Sequence, residues 1–182
     1  TAREQLLSFL AKAEDPNSGG RQMPQHYGHK DLRVVSQSSP TGTQFLQAVG
    51  CAMACKLKKT KEVVYVSSGE GTTSQGDFHE ALNWASNSKA PVIFHIQDNE
   101  YAISTHRSEQ TASTIYNMTS GYGNLSRYDV NGTDFFETNL AFKEAVQRAR
   151  KGKGPSVIVS HVVRLLPHSS SDDQRKYRSE KD

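Results

Sequence analysis

The sequence has little cysteine. Cys51 and Cys55 are the only two in 182 residues. They lie four apart in a helix-like segment and so share one face. Two thiols cannot make the framework of a secreted disulfide scaffold, and a metal site would need further ligands beside them. They read as small buried hydrophobes. A reducing cytoplasm (bacterial) or a mitochondrial matrix is the expected compartment. No apolar run approaches the roughly 18 residues that would cross a bilayer, and no signal-peptide pattern is present. No internal repeat or low-complexity linker occurs. Nor is there much excess of one charge: 22 basic residues face 19 acidic ones, for a formal +3. The basic residues are scattered along the chain without an aromatic-interleaved strip. Neither nucleic acid nor a membrane is therefore an expected partner.

What is present is enough apolar sequence for a core. Hydrophobic residues make up 35% and charged residues 23%, a globular balance, and the length suits one domain. The expectation is a single domain over 1–182. The opening "TAREQLLSFLAKAED" has an amphipathic helix pattern, which suggests that the chain begins inside a larger protein. After it, strand and helix patterns alternate. "LRVVS" (32–36) is a short strand candidate, and "GTQFLQAVGCAMACKLK" (42–58) reads as a helix. "EVVYVSS" (62–68) is a continuous apolar run of the kind buried on both faces in a parallel sheet. "GDFHEALNWASNS" (76–88) carries Phe78, Leu82 and Ala85 on one helical stripe. "PVIFHIQD" is a second buried strand, "LSRYDVNG" a weaker one, and "PSVIVSHVV" the last. Between the latter two, Asp134 can cap a helix whose end carries Arg148, Arg150 and Lys151. This order predicts an α/β fold, a three-layer, doubly wound, mainly parallel sheet with helices on both faces. Ligands of such sheets bind at the carboxyl ends of the strands.

At the tip of the first buried strand stands Gly69-Glu70-Gly71. Flanking glycines let a backbone approach a ligand and adopt positive φ. The N–H groups of the following turn and helix start favour a phosphate. A carboxylate beside phosphate is sensible where a hard cation bridges the two. Magnesium takes one or two protein oxygens and completes its octahedron with phosphate and water. Asn99, at the end of the next strand, follows Gly71 by one helix and one strand, so two neighbouring strand ends could offer Glu70, the Asn99 oxygen and a backbone carbonyl to one ion.

The Gly-Glu-Gly, the spacer and the Asn resemble the thiamin-diphosphate signature. "GRQMPQHYG", "SSPTGTQFLQAVG", "GEGTTSQGDFHEALN", "DNEYAIST", "SEQ", "GYG" and "RLLPHSSSDD…YR" stand in the order and spacing of one family. The chain resembles, from about Gly20 to Arg178, the alpha-type subunit of thiamin-diphosphate-dependent 2-oxoacid dehydrogenases. It is most similar to the branched-chain type, whose signature carries Glu between the glycines. The resemblance implies that Glu70, Asn99 and the Tyr101 carbonyl hold magnesium on the diphosphate. Gly69, Gly71 and Thr72 would lie along the phosphates, and Ile103 near the cofactor rings. Ser38, Pro40, Thr43 and Gln44 match a loop that binds potassium in some members, and Ser39 and Thr41 belong to that loop's cofactor-facing part. His26 and His168 match active-site histidines. The loop carrying His168 covers the cofactor, and Arg164 matches an arginine that orders it. The implied partners are a beta-type subunit or domain, a lipoyl-bearing acyltransferase core and a small 2-oxoacid.

The sequence departs from the family at Gln97, where relatives often carry a charge, and at Thr41, a position that is often apolar. The chain is short at both ends and reads as a fragment. The remaining histidines take plainer readings: His79 on a helix face, His29 and His106 in loops, and His95 and His161 as core or interface residues of apolar strands. Other readings are a pyruvate- or acetoin-specific relative, a non-catalytic assembly domain and a magnesium-dependent phosphate- or nucleotide-binding domain. Against the last, no Walker-type Lys follows the glycines.

Overall fold

The computed structural model describes residues 1–23 and 25–179. The chain divides into two compact units, Thr1–Gln44 and Phe45–Asp182.

In the first unit, helix α1 (Ala2–Phe9) starts at Thr1 with a reciprocal capping box to Glu4. Past its end, a loop is organised by one carboxylate. Asp15 accepts five hydrogen bonds, from the backbone N–H groups of Asn17, Ser18 and Gly20 and from the Asn17 and Ser18 side chains. Burial alone would raise its pKa, but these donors outweigh burial and pull it down to about 2. Residues 32–36 do not form the expected strand. The segment makes only an isolated antiparallel bridge, His29 to Val34. Leu32, Val34 and Val35 are all exposed, so this apolar run has no neighbouring strand to bury against.

The second unit opens with most of helix α2 (Thr43–Leu57). Strand β1 (Val64–Gly69) follows, then a 3₁₀ turn over Glu70–Ser74, helix α3 (Gly76–Ser88) and β2 (Val92–Asp98). A short hairpin of β3 (Tyr101–Ala102) and β4 (Thr105–His106) leads into α4 (Arg107–Gln110) and α5 (Ile115–Met118). Then come β5 (Ser126–Asn131), α6 (Phe135–Arg150) and β6 (Ser156–His161). The main sheet is parallel throughout, in the order β1-β2-β6-β5. The chain moves inward from β1 to β2 and again from β5 to β6, from opposite edges. Right-handed crossovers then require the two connecting helices to lie on opposite faces, and they do. The residues of α2 and α3 share one core with Val66, Val92, Phe94, Ile96, Val157 and Val159. Ala141 and Ala145 of α6 share the other with Ile93, Val130 and Ile158.

The first core is the larger. Phe45, Phe78 and Phe94 meet there with ring centroids 4.9 to 6.4 Å apart. The second is interrupted by a polar chain. Tyr65 Oη lies 2.9 Å from His95 Nδ1, and His95 Nε2 lies 3.0 Å from Ser160 Oγ. His95 is only 9% exposed, and burial lowers its pKa. It is a satisfied core histidine, as its place in an apolar strand suggests.

Two outcomes follow. Phe78→Ala should cost about 3–5 kcal/mol in denaturant unfolding, because it empties the centre of the aromatic cluster. Burial makes His95 harder to protonate in the fold than in the unfolded chain, where its ordinary pKa is about 6.5. Stability should hold above that pH and fall as the pH drops below it, and His95→Gln should flatten the decline in melts recorded across pH 5–7.

Candidate functional site

Parallel strands put all their carboxyl ends on one edge, where Glu70, Asn99, His161 and Asn131 begin or end the connecting loops. Glu70 lies directly after β1. It is 2% exposed. Its Oε2 accepts the backbone N–H of Asn99 at 3.2 Å, so the two strand ends are joined there. Among the described residues Glu70 makes no ion pair, and burial raises its pKa. A carboxylate held in this way is costly unless a cation meets it.

The surroundings hold Glu70 in place. Its carbonyl accepts a bond from Thr73 Oγ1 at 2.7 Å. Gln110 Nε2 donates to the Gly71 carbonyl at 2.6 Å and to Ser74 Oγ at 2.5 Å, while Gln110 Oε1 is buried without a partner. No side chain caps α3, which leaves the N-terminal end of that helix to other acceptors. The two glycines differ from expectation, since neither adopts positive φ. At Gly71 the reason for glycine is packing. A Cβ there would lie 2.6 Å from the Ala102 Cβ, whereas at Gly69 it would meet only the Gln97 carbonyl at 3.9 Å.

The positive φ values stand one loop further on, at Glu100 (70°) and Ile103 (56°), on either side of β3. Both conformations are disfavoured, most of all for a β-branched residue. Arg107 holds the first by pairing with the buried Asp98 and with Glu100 at 3.1 Å. Asn99 Oδ1 accepts the Tyr101 N–H at 3.3 Å. Arg164 Nη1 holds the second by donating to the Ile103 carbonyl at 2.8 Å. The Ile103 side chain is left half-exposed at the hairpin tip.

The segment after β6 packs onto this hairpin. The Arg164 guanidinium lies over the rings of Tyr101 and Tyr177, and its Nη2 donates to Tyr177 Oη at 2.8 Å. Tyr177 Oη donates in turn to Asp172 at 2.5 Å, and Asp172 also accepts the His168 N–H at 2.9 Å. Those two bonds, Tyr177 first, hold the Asp172 pKa down. Arg178 donates to the Arg164 carbonyl at 2.8 Å. The loop carrying the exposed His168 is thus fastened at its base.

In the first unit, His26 Nε2 lies 2.8 Å from Ser39 Oγ. Thr43 Oγ1 donates to the Pro40 carbonyl at 3.0 Å, and Gln44 Oε1 accepts the Gly42 N–H at 2.9 Å. Ser38 and Thr41 flank these bonds.

Sequence reasoning did not single out Asp98, Arg107, Gln110, Asp172 or Tyr177. The one available signal was that all of them lie within or beside the quoted motifs. His161, read as a core or interface residue, is half-exposed at the carboxyl edge. It lies 2.6 Å from Asp129 and 3.9 Å from Asp98. Among the described residues no three His, Cys, Asp or Glu side chains surround a common point. A site of one carboxylate, one amide and one carbonyl would not form such a cluster.

The dehydrogenase E1 component family model matches residues 1–182. The chain belongs to that family. It is 48% identical over 179 residues to the 2-oxoisovalerate dehydrogenase subunit alpha of Bacillus subtilis, covering 98% of this chain and 54% of that protein. It is 43% identical over 175 residues to the mitochondrial 2-oxoisovalerate dehydrogenase subunit alpha of Mus musculus, covering 96% and 39%. The chain therefore spans about half the length of these family members, or less. Its fold is shared with transketolase from Campylobacter jejuni, with a TM-score of 0.65 and 21% identity over 81% of this chain and 24% of that one.

Glu70→Gln separates the cost of the buried charge from its use. Because burial raises the Glu70 pKa, the charged form is less stable in the fold than in the open chain. Stability without divalent cations should fall as pH rises through and above the ordinary carboxylate range. In chelator at neutral pH, Glu70→Gln should raise stability by about 1 kcal/mol, read from melting curves. Gly71→Ala should destabilise by about 1–3 kcal/mol as the hairpin is pushed aside, while Gly69→Ala should melt close to the parent.

Proposed function

We propose that the chain is the diphosphate-binding part of an alpha-type subunit of a thiamin-diphosphate-dependent 2-oxoacid dehydrogenase, acting on a branched-chain acid such as 2-oxoisovalerate. The observation that carries this reading is the buried Glu70 carboxylate, which makes no ion pair among the described residues and is joined to Asn99 across two strand ends. Membership of the E1 family and the names of the two relatives support it.

The donor set fits the cofactor's magnesium. Glu70 would supply a carboxylate oxygen, Asn99 its amide oxygen and Tyr101 its carbonyl, all hard oxygens. A divalent cation would remove the penalty that burial places on Glu70. Gly71 and Thr72, on the 3₁₀ turn, would give N–H groups to the phosphates, beside the uncapped start of α3. Ile103 would present an apolar surface to the rings. When bound, thiamin diphosphate supplies the carbanion chemistry by which a 2-oxoacid loses carbon dioxide and yields its acyl group to a lipoyl-lysine. His168 would give or take a proton at its imidazole during acyl transfer, on a loop whose position is set by Asp172, Tyr177 and Arg164. His26, with Ser39, is a second such group. Ser38, Pro40, Thr43 and Gln44 would offer oxygens to potassium.

The acid that faces the aminopyrimidine would come from a beta-type partner. Exposed apolar side chains support such a partner: Phe135, Phe136 and Leu140 follow β5, and Val163, Leu165 and Leu166 follow β6, all on the carboxyl side of the sheet. The compartment follows the organism, cytoplasm in a bacterium or matrix in a mitochondrion.

Thermal shift tests the cofactor. Thiamin diphosphate with magnesium should raise the melting temperature, ATP with magnesium should not, and Glu70→Ala should remove the magnesium-dependent part. An equal shift in Glu70→Ala would sink the assignment. In the enzyme assembled with its beta-type partner, His168→Ala should slow acyl transfer to lipoyl about 10²–10⁴-fold and decarboxylation less, as single-turnover kinetics would resolve. The chain without its partner should show no 2-oxoacid-dependent dye reduction.

A further inference from the structure

The opposite edge of the sheet has a character that the order of residues along the chain conceals. Every helix-to-strand connection ends there. The α2–β1 connection brings Lys56, Lys58, Lys59 and Lys61; the α3–β2 connection brings Lys89; the α6–β6 connection brings Arg148, Arg150, Lys151 and Lys153. These are nine of the chain's 22 basic residues, with only Glu62 and Glu144 of its 19 acidic ones beside them. All but Arg148 are exposed. The strands that receive these connections, β1, β2 and β6, are direct neighbours, and strands lie about 4.8 Å apart. Arg150 Nε donates to the Lys61 carbonyl at 3.3 Å, so the end of α6 and the α2–β1 connection meet on this edge.

Helix ends explain only part of this. Three helix C-termini converge on the edge, each worth roughly half a negative charge. That is far less than nine cations bring. None of the nine pairs with a carboxylate among the described residues. Lys56, Arg148 and Arg150 donate instead to main-chain carbonyls: Ser88 for Lys56, Asn124 and Lys153 for Arg148, and Lys61 for Arg150. The three helix ends, Glu62 and Glu144 offset only part of the edge's positive charge. It also holds a shallow cleft of about 230 Å³ between β5 and the end of α6, lined by Tyr128, Glu144, Arg148, Lys151 and Lys153.

We propose that this amino edge is a docking face for an acidic protein segment, a run of Asp and Glu side chains laid across the three loops. It lies at the end of the strands away from Glu70 and does not depend on what that site binds. Seven of the nine cations are lysines, point charges suited to a mobile carboxylate run rather than to bidentate phosphate recognition. The ring that lines the cleft, Tyr128, is half-buried, which limits its use as a platform for stacked bases.

The test is fluorescence anisotropy of a labelled oligoglutamate peptide titrated into the purified 182-residue chain. Two double variants, Lys58→Glu with Lys61→Glu and Lys151→Glu with Lys153→Glu, should each weaken binding about tenfold. Lys→Gln versions should weaken it less, and added salt should weaken the parent most. A control with the same charge change in the tail after β6, Arg175→Glu with Lys176→Glu, should stay within about twofold. Equal losses in the control would reduce the effect to net charge and overturn the proposal. So would edge variants that bind like the parent, or tighter edge-dependent binding of a single-stranded RNA or an anionic vesicle than of the peptide.

Discussion

A carboxylate taken out of water without a counter-charge is the constraint on which the carboxyl edge depends. Glu70 cannot move outward, because its backbone closes the 3₁₀ turn and its side chain is tied to the N–H of Asn99. It cannot be neutralised from within either, since the nearby arginine, Arg107, is committed to Asp98 and Glu100. The neighbouring Asp98 adds to the penalty on Glu70 and Arg107 offsets part of it, both behind burial as the main cause. Such an arrangement carries a cost at neutral pH that a proton or a counter-charge at Glu70 would lower. The hairpin beyond Asn99 is tied to Glu70 through the Asn99 N–H bond, and the tail packs on the hairpin in turn.

The tail shows how a loop of polar residues acquires a fixed shape. Arg164 lies on two tyrosine rings and reaches a carbonyl and a hydroxyl. Asp172 gathers a hydroxyl and a backbone N–H. No apolar core is needed, because each charged group meets a partner that limits its rotation. The exposed His168 can then stay on a defined backbone while its ring is free to meet another molecule.

The elements most legible in the sequence were those whose burial leaves a periodic mark. The strands β2 and β6 are apolar runs covered on both faces, β1 is an apolar edge run that leaves Tyr65 exposed, and α3 and α6 carry one apolar stripe each, so their places could be read to within a residue or two. The 32–36 segment misled, because composition alone does not supply a neighbour to pair with. Glu70 and Asn99 were legible from their spacing across one helix and one strand. The glycine argument was sound in residue type but not in cause, since Gly71 makes room for Ala102 rather than turning the chain. Asp98, Arg107 and Tyr177 stayed hidden, because an ion pair or a stacked ring depends on which loops meet in space. The basic edge was hidden for the same reason: cations dispersed over a hundred residues are gathered by topology alone.

Ile103 gives the unit an order of disassembly. Its left-handed backbone costs on the order of 1–3 kcal/mol and is held by a bond from Arg164, which lies beyond the last strand. When the tail peels away, that restraint goes with it and the hairpin can relax to an ordinary turn, while the four-stranded sheet beneath loses nothing. Local unfolding therefore spreads from the C-terminal segment to the hairpin tip before reaching the core, and a protease that nicks the tail would loosen the residues around Asn99 without touching them.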